Sequence, residues 1–199
     1  MTVGLVLAAG EGRRMGGPKA LLRDESGTPW VVRTVRVLEQ AGVDEVVVVV
    51  GAAGGDVRAA LLDAALPDEG VRVVTADDWA EGMGASLRAG LRPLVGLDDV
   101  AAALVCVVDT PGLNPAVVRR VAELAGPDVL ARATYDGTPG HPVLLGSAHF
   151  GALIDDAGGD VGARGYLSRH ELRTVECADL ADGTDVDAPE DLPPGHRLG

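Results

Sequence analysis

One lysine in a glycine-rich segment is the pattern in this sequence that most clearly suggests chemistry. Residues 7–19 read Leu-Ala-Ala-Gly-Glu-Gly-Arg-Arg-Met-Gly-Gly-Pro-Lys, and Lys19 is the only lysine among 17 basic residues, the rest being arginine. Glycines let a ligand approach the backbone and leave N–H groups available to an anion, while Arg13, Arg14 and Lys19 add positive charge. The segment therefore predicts a phosphate-binding loop.

Two familiar phosphate-binding motifs do not fit this segment. The dinucleotide fingerprint Gly-x-Gly-x-x-Gly would need glycine where Met15 stands, and a Walker A loop would need Gly-Lys-Ser/Thr in place of Pro18-Lys19-Ala20. A flexible, solvated loop is the alternative interpretation. The position directly after the first predicted strand favours phosphate binding, because open α/β sheets bind ligands outside the carboxyl ends of their strands.

Aspartates that could hold a metal occur at two places in the chain. Asp109 follows a predicted buried strand and precedes Thr110-Pro111, and this position suits Mg²⁺ held against triphosphate oxygens. A turn or N-cap aspartate is the alternative. Asp187 and Asp185 are candidates for a second carboxylate, although both lie in an acidic segment that is also typical of a solvated run.

Composition and charge narrow the class of protein. The chain has 199 residues, 47% of them hydrophobic, and its net charge is −13 from 30 acidic and 17 basic side chains. This length predicts one domain with a sizeable core. The negative charge argues against nucleic acid or an anionic membrane as a partner, because both would repel the protein.

The two cysteines bear on the redox compartment. Cys106 lies in a predicted buried strand, Cys177 lies near the end of the chain, and no Cys-x-x-Cys spacing occurs. A disulfide framework is therefore not expected, and the sequence predicts a cytoplasmic protein. No apolar run approaches the roughly 20 residues that span a bilayer, and the first residues lack the basic region of a signal peptide.

The elements that must position these groups alternate between strands and helices. Runs rich in Val, Leu and Ala predict strands at Val3–Ala8, Glu45–Val50, Val71–Thr75, Ala102–Val108 and Val129–Tyr135. Apolar residues at helical spacing predict helices at Pro29–Ala41, Asp56–Ala65, Ala85–Leu91 and Pro115–Ala125. This order predicts an α/β fold, a single-domain Rossmann-like three-layer sandwich with a mainly parallel central sheet.

The pattern is less regular after Tyr135. We predict in turn a loop, a short strand, a helix, a glycine-rich loop, a short helix and a strand, at Asp136–Pro142, Val143–Leu145, Ala148–Ile154, Gly158–Gly162, Arg164–Arg169 and Leu172–Cys177. The Pro/Gly-rich segment at the end of the chain is expected to fray.

Several of these segments together resemble the MobA-like nucleotidyltransferases, a branch of the nucleoside-diphospho-sugar transferase superfamily. The glycine-rich segment resembles the signature of that family, the block Asp78–Leu87 resembles its tryptophan-to-serine-leucine motif, and Asp109-Thr-Pro resembles its metal-binding aspartate. Three later segments resemble the molybdenum cofactor cytidylyltransferase subgroup, namely Gly140–Leu145, Gly159–Arg164 and Asp185–Asp191. The resemblance covers nearly the whole chain.

The resemblance implies a role for each matched residue. Arg14 and Lys19 would be the catalytic cations, while Asp109 and Asp187 would hold Mg²⁺. The nucleotide would be bound by Leu7, Ala8, Ala9, Gly10, Gly12, Arg13 and Ser86. The acceptor would be bound by His141, Asp160 and Arg164. Structural roles, such as a hydrogen-bonded loop histidine or a helix-entry aspartate, are the alternatives for the acceptor set.

The implied reaction is transfer of a nucleotidyl group to the phosphate of a molybdopterin-type cofactor, with release of pyrophosphate. Ala9 stands where the guanylyltransferase branch tends to carry glycine, and this favours CTP over GTP. The expected cofactor is Mg²⁺, and the expected partners are CTP, molybdopterin cofactor and a molybdoenzyme client. Residues 1–110 would then form the NTP-binding half, 111–192 the acceptor-binding half and 193–199 a tail.

Three alternatives remain open. The first keeps the chemistry but changes the substrate, as in a guanylyltransferase or a sugar-phosphate or phospho-acid nucleotidyltransferase. The second is a carrier that delivers molybdenum cofactor without turning it over. The third is a Rossmann oxidoreductase, and the missing Gly-x-Gly-x-x-Gly and the lack of an acidic residue ending the second predicted strand count against it.

Overall fold

The chain alternates strands and helices, as the sequence predicts. A computed structural model describes residues 1–43, 45–64, 66, 70–159 and 162–199. Strands β1 to β7 are Thr2–Ala8, Glu45–Val50, Val71–Thr75, Ala102–Val107, Leu130–Tyr135, Thr138–Gly146 and Arg173–Glu176. Helices α1 to α6 are Trp30–Gln40, Gly54–Asp63, Met83–Leu91, Pro115–Ala122, Phe150–Asp156 and Arg164–Leu167. Ala65, the predicted end of the second helix, lies outside the described residues.

The seven strands form a single sheet in the order β3-β2-β1-β4-β6-β5-β7. The pairs β1–β2, β1–β4, β2–β3 and β5–β7 are parallel, whereas β6 pairs antiparallel with both β4 and β5. The predicted mainly parallel sheet is confirmed. The strand order reverses between β1 and β4, and such a reversal leaves a crevice at the carboxyl ends of the two strands.

Helices cover both faces of the sheet, which confirms the predicted three-layer sandwich. On one face, α1, α2 and α4 pack their valines and leucines against alternate residues of the strands, such as Val6 and Cys106. On the other face, α3, α5 and α6 pack against the intervening residues, such as Leu5 and Val105. The central strands are buried on both sides because they are nearly continuous in Val, Leu and Ala.

The prediction of a loop at Asp136–Pro142 is wrong. The observed β6 begins at Thr138, and β5 and β6 form a hairpin closed by Asp136-Gly137. Both turn residues have positive φ, 49° and 77°, which is the conformation that an Asp-Gly pair favours in a two-residue hairpin turn. The Gly and Pro content of the segment masked this signal, and Pro139 is accommodated where a bulge shifts the strand register.

The prediction that the end of the chain frays is also wrong. The backbone of Arg197 pairs with that of Arg23 through two hydrogen bonds of 2.9 and 3.0 Å. The Trp30 indole Nε1 donates to His196 Nδ1 at 3.1 Å. These contacts fix the end of the chain against the segment that follows Lys19. Within the described residues, no helix has the length and apolarity needed to cross a membrane.

Candidate functional site

The glycine-rich segment leaves the carboxyl end of β1 and folds back before Lys19. Gly12 has a φ of +65°, and the N–H of Gly17 donates to the Gly12 carbonyl at 3.2 Å. A Cβ atom on Gly12 would overlap the carbonyl oxygen of Gly17. Because L side chains avoid this φ and the two backbones touch, the position requires glycine. The fold-back brings Lys19 within hydrogen-bonding distance of Asp109, just beyond β4.

This fold-back forms one wall of a cavity of about 420 Å³, called the first cavity below. The segment from Trp79 to Met83 and the start of α3 form the facing wall, and Val107 of β4 contributes to the floor. Every residue predicted to bind the nucleotide lines this cavity, and these are Leu7, Ala8, Ala9, Gly10, Gly12, Arg13 and Ser86. Lys19 and Asp109 line it as well.

At this cavity, Lys19 lies between two carboxylates. Its Nζ donates to Asp109 Oδ2 at 2.9 Å and to Asp187 Oδ1 at 2.6 Å. The Nη2 atom of Arg14 lies 3.2 Å from the other oxygen of Asp187. Asp187 is held in place by its neighbour Val186, whose N–H donates to the Asp109 carbonyl at 2.9 Å and whose side chain is buried. The fold thus brings together the four residues predicted to be catalytic or metal-binding.

The two predicted arginines have different surroundings. The side chain of Arg13 is 83% exposed and forms an ion pair with Glu11, its neighbour in the loop. The side chain of Arg14 is also largely exposed, at 73%, but reaches across to Asp187. Arg14 therefore belongs to the same charge cluster as Lys19, whereas Arg13 lies at the mouth of the first cavity.

The charges of this cluster stabilise one another. Burial lowers the pKa of Lys19, but its hydrogen bonds to Asp187 and Asp109 outweigh burial and hold the pKa above its usual value. The hydrogen bond from Lys19 lowers the pKa of Asp187. Asp185 differs, because burial and the negative charges of Asp109 and Asp187 raise its pKa. Asp187 therefore keeps its negative charge more readily than Asp185 and is better suited to bind a cation.

The donor set suits a small divalent cation. Asp109 and Asp187 each offer a carboxylate oxygen to the same point, where the Lys19 ammonium now lies. Mg²⁺ is commonly held by one or two carboxylates together with substrate phosphates and water. Within the described ranges, no group of three or more His, Cys, Asp or Glu side chains is positioned to hold a metal. Two protein carboxylates would thus need phosphate oxygens and water to complete the coordination.

A second cavity of about 200 Å³ adjoins the first, and Leu7 and Met83 line both. Two residues predicted to bind the acceptor, His141 and Arg164, line this second cavity. The third, Asp160, lies outside the described residues. The rest of the second cavity is lined by apolar residues apart from Arg132 and Asp185, and its walls are formed by Leu87, Val105, Val143, Leu145 and Leu167.

His141 is positioned through its backbone and is neutral. Tyr135 Oη donates to the His141 carbonyl at 2.7 Å, which fixes this residue at the bulged end of β6. Burial lowers the pKa of the imidazole to about 4, and the positive charge of Arg132 adds to this effect. At neutral pH the side chain can therefore offer or accept hydrogen bonds, but it contributes no positive charge to the second cavity.

Arg88 on α3 holds together the walls of the two cavities. Its Nη2 donates to Asp78 at 2.6 Å and to Glu81 at 2.7 Å, next to Trp79 at the first cavity. Its Nη1 donates to the Ala157 carbonyl at 2.6 Å, at the start of the glycine-rich loop beside the second cavity. With three partners for a mostly buried guanidinium, Arg88 is a structural clamp.

Sequence reasoning missed two polar residues of the second cavity. Arg132 is not among the residues predicted above, and Asp185 is predicted only as a possible metal ligand. The available signal for Arg132 was its position within Leu-Ala-Arg-Ala-Thr-Tyr, where an arginine interrupts a run that forms a mostly buried strand. Such a charge in a buried strand requires a partner or a ligand.

Comparison with known proteins agrees with this geometry. The MobA-like NTP transferase domain matches residues 4–175, and the chain therefore belongs to this nucleotidyltransferase family. The match extends from β1 into β7 and so includes most of the residues that line the two cavities, but not Asp185 or Asp187. The family membership and the Rossmann-like fold predicted from the sequence are confirmed.

Individual relatives carry different names. Nicotine blue oxidoreductase from Paenarthrobacter nicotinovorans is 34% identical over 204 residues, covering 95% of this chain and 93% of the relative. A nucleotidyl transferase from Methanothermobacter thermautotrophicus has a TM-score of 0.78 at 27% identity, over 96% of this chain and 94% of that one. A manganese complex of Rv0371c from Mycobacterium tuberculosis has a TM-score of 0.74 at 28% identity, over 96% and 95% of the two chains.

Proposed function

We propose that this chain transfers CMP from CTP to the phosphate of a molybdopterin-type cofactor and releases pyrophosphate. The observation that carries the proposal is the position of Lys19 between Asp109 and Asp187, beside a glycine-walled cavity that adjoins a second one. Backbone N–H groups, cations and carboxylates together suit a triphosphate that arrives with its metal. The adjoining cavity suits the acceptor.

Positioning and charge stabilisation are the tasks of the protein in this reaction. The glycine-rich segment binds the triphosphate, while Arg14 and Lys19 offset the negative charge that develops as pyrophosphate leaves. Transfer of a phosphoryl-type group needs in-line placement of the two substrates and no covalent nucleophile on the protein. Ser86, which is buried at the wall of the first cavity, serves as a hydrogen-bonding residue.

Asp109 and Asp187 would hold Mg²⁺ on this proposal. When bound, Mg²⁺ supplies Lewis-acid stabilisation of the triphosphate oxygens. We choose Asp187 rather than Asp185 because Asp187 contacts Lys19 directly. With these two carboxylates committed to a cation, the Lys19 ammonium would be free to donate to the phosphate oxygens. The manganese complex of the M. tuberculosis homologue supports a divalent cation in this family.

The acceptor lies in the second cavity, bound by His141 and Arg164. Asp160, the third residue predicted to bind the acceptor, lies outside the described residues. A phosphate oxygen of the acceptor forms a bond to the α-phosphorus of CTP. The bond from that phosphorus to the bridging oxygen breaks, and its electron pair leaves with pyrophosphate. At neutral pH a phosphate monoester is largely a dianion, so the attack needs no general base. A neutral His141 is compatible with this step.

The preference for CTP rests on one residue. Ala9 is buried at the end of β1, lines the first cavity, and its carbonyl accepts a hydrogen bond from Ala52 at 3.1 Å. We take this wall of the first cavity as the place where the base and ribose bind. A Cβ at this point restricts the space available to the base, and this supports the smaller pyrimidine over guanine.

Pyrophosphate release with a panel of nucleotides tests the proposal. Purified protein is incubated with CTP, GTP, ATP or UTP, Mg²⁺ and pyrophosphatase, with and without molybdopterin cofactor. We expect release that requires the cofactor and is fastest with CTP. Release of pyrophosphate from GTP but not from CTP would reassign the base. Retention of the cofactor without release of pyrophosphate from any nucleotide would support a carrier. Release with a sugar phosphate in place of the pterin would reassign the acceptor.

An oxidoreductase is the second candidate, because the relative from P. nicotinovorans carries that name at 34% identity. The first cavity could hold a dinucleotide pyrophosphate in the place of a triphosphate. The test is oxidation of NADH or NADPH in the presence of an artificial dye acceptor, followed by absorbance. Turnover with the dye that survives replacement of Asp109 by Asn would support redox chemistry instead of nucleotidyl transfer.

A further inference from the structure

Arg132 is a half-buried cation that the cluster around Lys19 does not use. It projects from β5, opposite Val143 of β6, at the point where a bulge shifts the register between the two strands. Its Nε donates to the Gly140 carbonyl at 3.1 Å, which aligns the guanidinium with the bulge. The group lines the second cavity together with His141, Arg164 and Asp185.

The guanidinium of Arg132 is incompletely satisfied by the protein. Among the residues that the structure describes, its Nη atoms make no hydrogen bond and the group forms no ion pair, in contrast to the three partners of Arg88. Burial and the positive charge of Arg164 lower the pKa of Arg132 below its usual value. Burying a cation without a partner costs free energy, and an anionic ligand would recover that cost.

The rest of the cavity defines what else the ligand contains. Arg132 and Arg164 contribute two positive charges, Asp185 one negative charge, and His141 is neutral at pH 7. The remaining walls are the aliphatic side chains of α3, α6, β4 and β6 named above. A small organic anion fits this combination, with its charged end at the arginines and its apolar body against the aliphatic wall.

We propose that Arg132 binds the phosphate group of the acceptor, and that the second cavity is a site for phosphate monoesters with an apolar or aromatic body. The Nη atoms form two parallel hydrogen bonds to the phosphate oxygens, a geometry that lysine cannot reproduce. This proposal rests on the proposed function only where it identifies the ligand as the acceptor. Binding of a phosphate monoester there does not depend on turnover.

Binding of phenyl phosphate to the whole protein, measured by calorimetric titration without nucleotide or metal, tests this site. The variants are Arg132→Gln, Arg132→Lys and Lys19→Met, and Arg173→Gln on the neighbouring strand β7 is the matched control. We expect Arg132→Gln to raise the Kd at least tenfold, Arg132→Lys to raise it less, and the other two to leave it within about twofold. Thermal unfolding of each variant verifies that it is folded. If Arg132→Gln does not fold, Arg132→Lys still tests the site.

Three results would overturn the assignment. They are failure of the unsubstituted protein to bind phenyl phosphate, unchanged affinity in folded Arg132→Gln and Arg132→Lys, and loss of affinity in Lys19→Met alone. The last result would place the phosphate of phenyl phosphate in the first cavity, beside Lys19. Failure of the proposed function is separate, because it would appear as absent pyrophosphate release in protein that still binds phenyl phosphate through Arg132.

Discussion

At the scale of single residues, Lys19 has the most specific environment in the site. Its ammonium hydrogen-bonds one oxygen of Asp109 and one of Asp187, and these are the oxygens that a divalent cation would use. Its stem follows the glycine fold-back, whose backbones touch at Gly12 and Gly17. A compact point charge on a flexible side chain can leave the carboxylates and follow phosphate oxygens, whereas a planar guanidinium presents its donors in a fixed fork.

Replacement of Lys19 by Arg is expected to lower kcat of pyrophosphate release by roughly a hundredfold, because one positioned donor to a transition-state charge contributes about that much. The charge is preserved, so the melting temperature should change little. Steady-state kinetics and thermal unfolding measure both effects. Arg173→Lys, at an exposed position on β7 that lines neither cavity, is the control and should retain full activity. Unchanged kinetics in Lys19→Arg would show that any cation suffices at this position.

Replacement of Lys19 by Met is expected to strengthen the binding of Mn²⁺ several-fold in the absence of nucleotide. The two carboxylates lose their internal cation and offer the same oxygens to the metal. Electron paramagnetic resonance of free Mn²⁺ measures this directly, and Lys19→Met combined with Asp109→Asn should abolish the gain. Equal or weaker Mn²⁺ binding in Lys19→Met would show that Lys19 does not compete with the metal.

At the scale of elements, α3 and the β5–β6 hairpin set the shape of the two cavities. The sequence predicted the strands that end at the site because continuous Val, Leu and Ala runs are typical of buried parallel strands. It missed the hairpin because Gly and Pro around Asp136-Gly137 suggested a loop. It could not place Arg132 or Asp185 in one cavity, since only the pairing of β5 with β6 and the path of the chain after β7 bring them together.

Substitution of Gly84 by Ala is expected to lower the free energy of unfolding by about 1–3 kcal/mol, the usual cost of overpacking. Gly84 lies in the first turn of α3, and a Cβ there would lie 2.8 Å from the backbone nitrogen of Gly158. Chemical denaturation measures the effect. Gly55→Ala in α2, where a Cβ meets open space, should instead stabilise by about 0.5–1 kcal/mol. Equal effects at the two positions would contradict the close approach.

The β5–β6 hairpin should loosen in acid. The Glu176 carboxylate accepts hydrogen bonds from the backbone N–H groups of Ala178, Gly137 and Asp136 and from the Thr134 hydroxyl, and these lower its pKa to about 2 from the usual 4.5. A carboxylate whose pKa is lower in the folded protein than in the unfolded chain stabilises the fold. This stabilisation is complete above the pKa of the unfolded chain and is lost as the pH falls toward the pKa of the folded protein.

Glu176→Gln should therefore be less stable than the unsubstituted protein at pH 7, with the difference shrinking as pH falls from 4.5 toward 2. Chemical denaturation across this range measures the effect, and Glu171→Gln at an exposed position is the control. A stability difference that is the same at both ends of the range would contradict the role of the Glu176 carboxylate.

At the scale of the whole molecule, a protein with a net charge of −13 gathers three of its 17 basic residues, together with carboxylate partners, at the crevice between β1 and β4. Arg13, Arg14 and Lys19 come from one segment there, whereas the carboxylates come from the ends of two distant segments. An extended anionic partner would be repelled, but a small triphosphate accompanied by a metal would not. The sequence could predict a binding site after the first strand because the alternation of strand and helix patterns and the glycine spacing are local signals.

The two cysteines belong to the core of the molecule. Cys106 and Cys177 are both buried and unpaired. Burial raises the pKa of the Cys106 thiol to about 12, so it is an inert core residue.

The central claim is that this site transfers a nucleotidyl group, and label transfer from CTP tests it most directly. CTP carrying radioactive phosphorus at the α position, or at the γ position, is incubated with the protein, Mg²⁺ and molybdopterin cofactor, and the pterin product is isolated. We predict label in the product from α-labelled CTP only, and at least a hundredfold less in folded Asp109→Asn, which has lost a metal carboxylate. Label from the γ position, no label from either, or full transfer by Asp109→Asn would contradict the account.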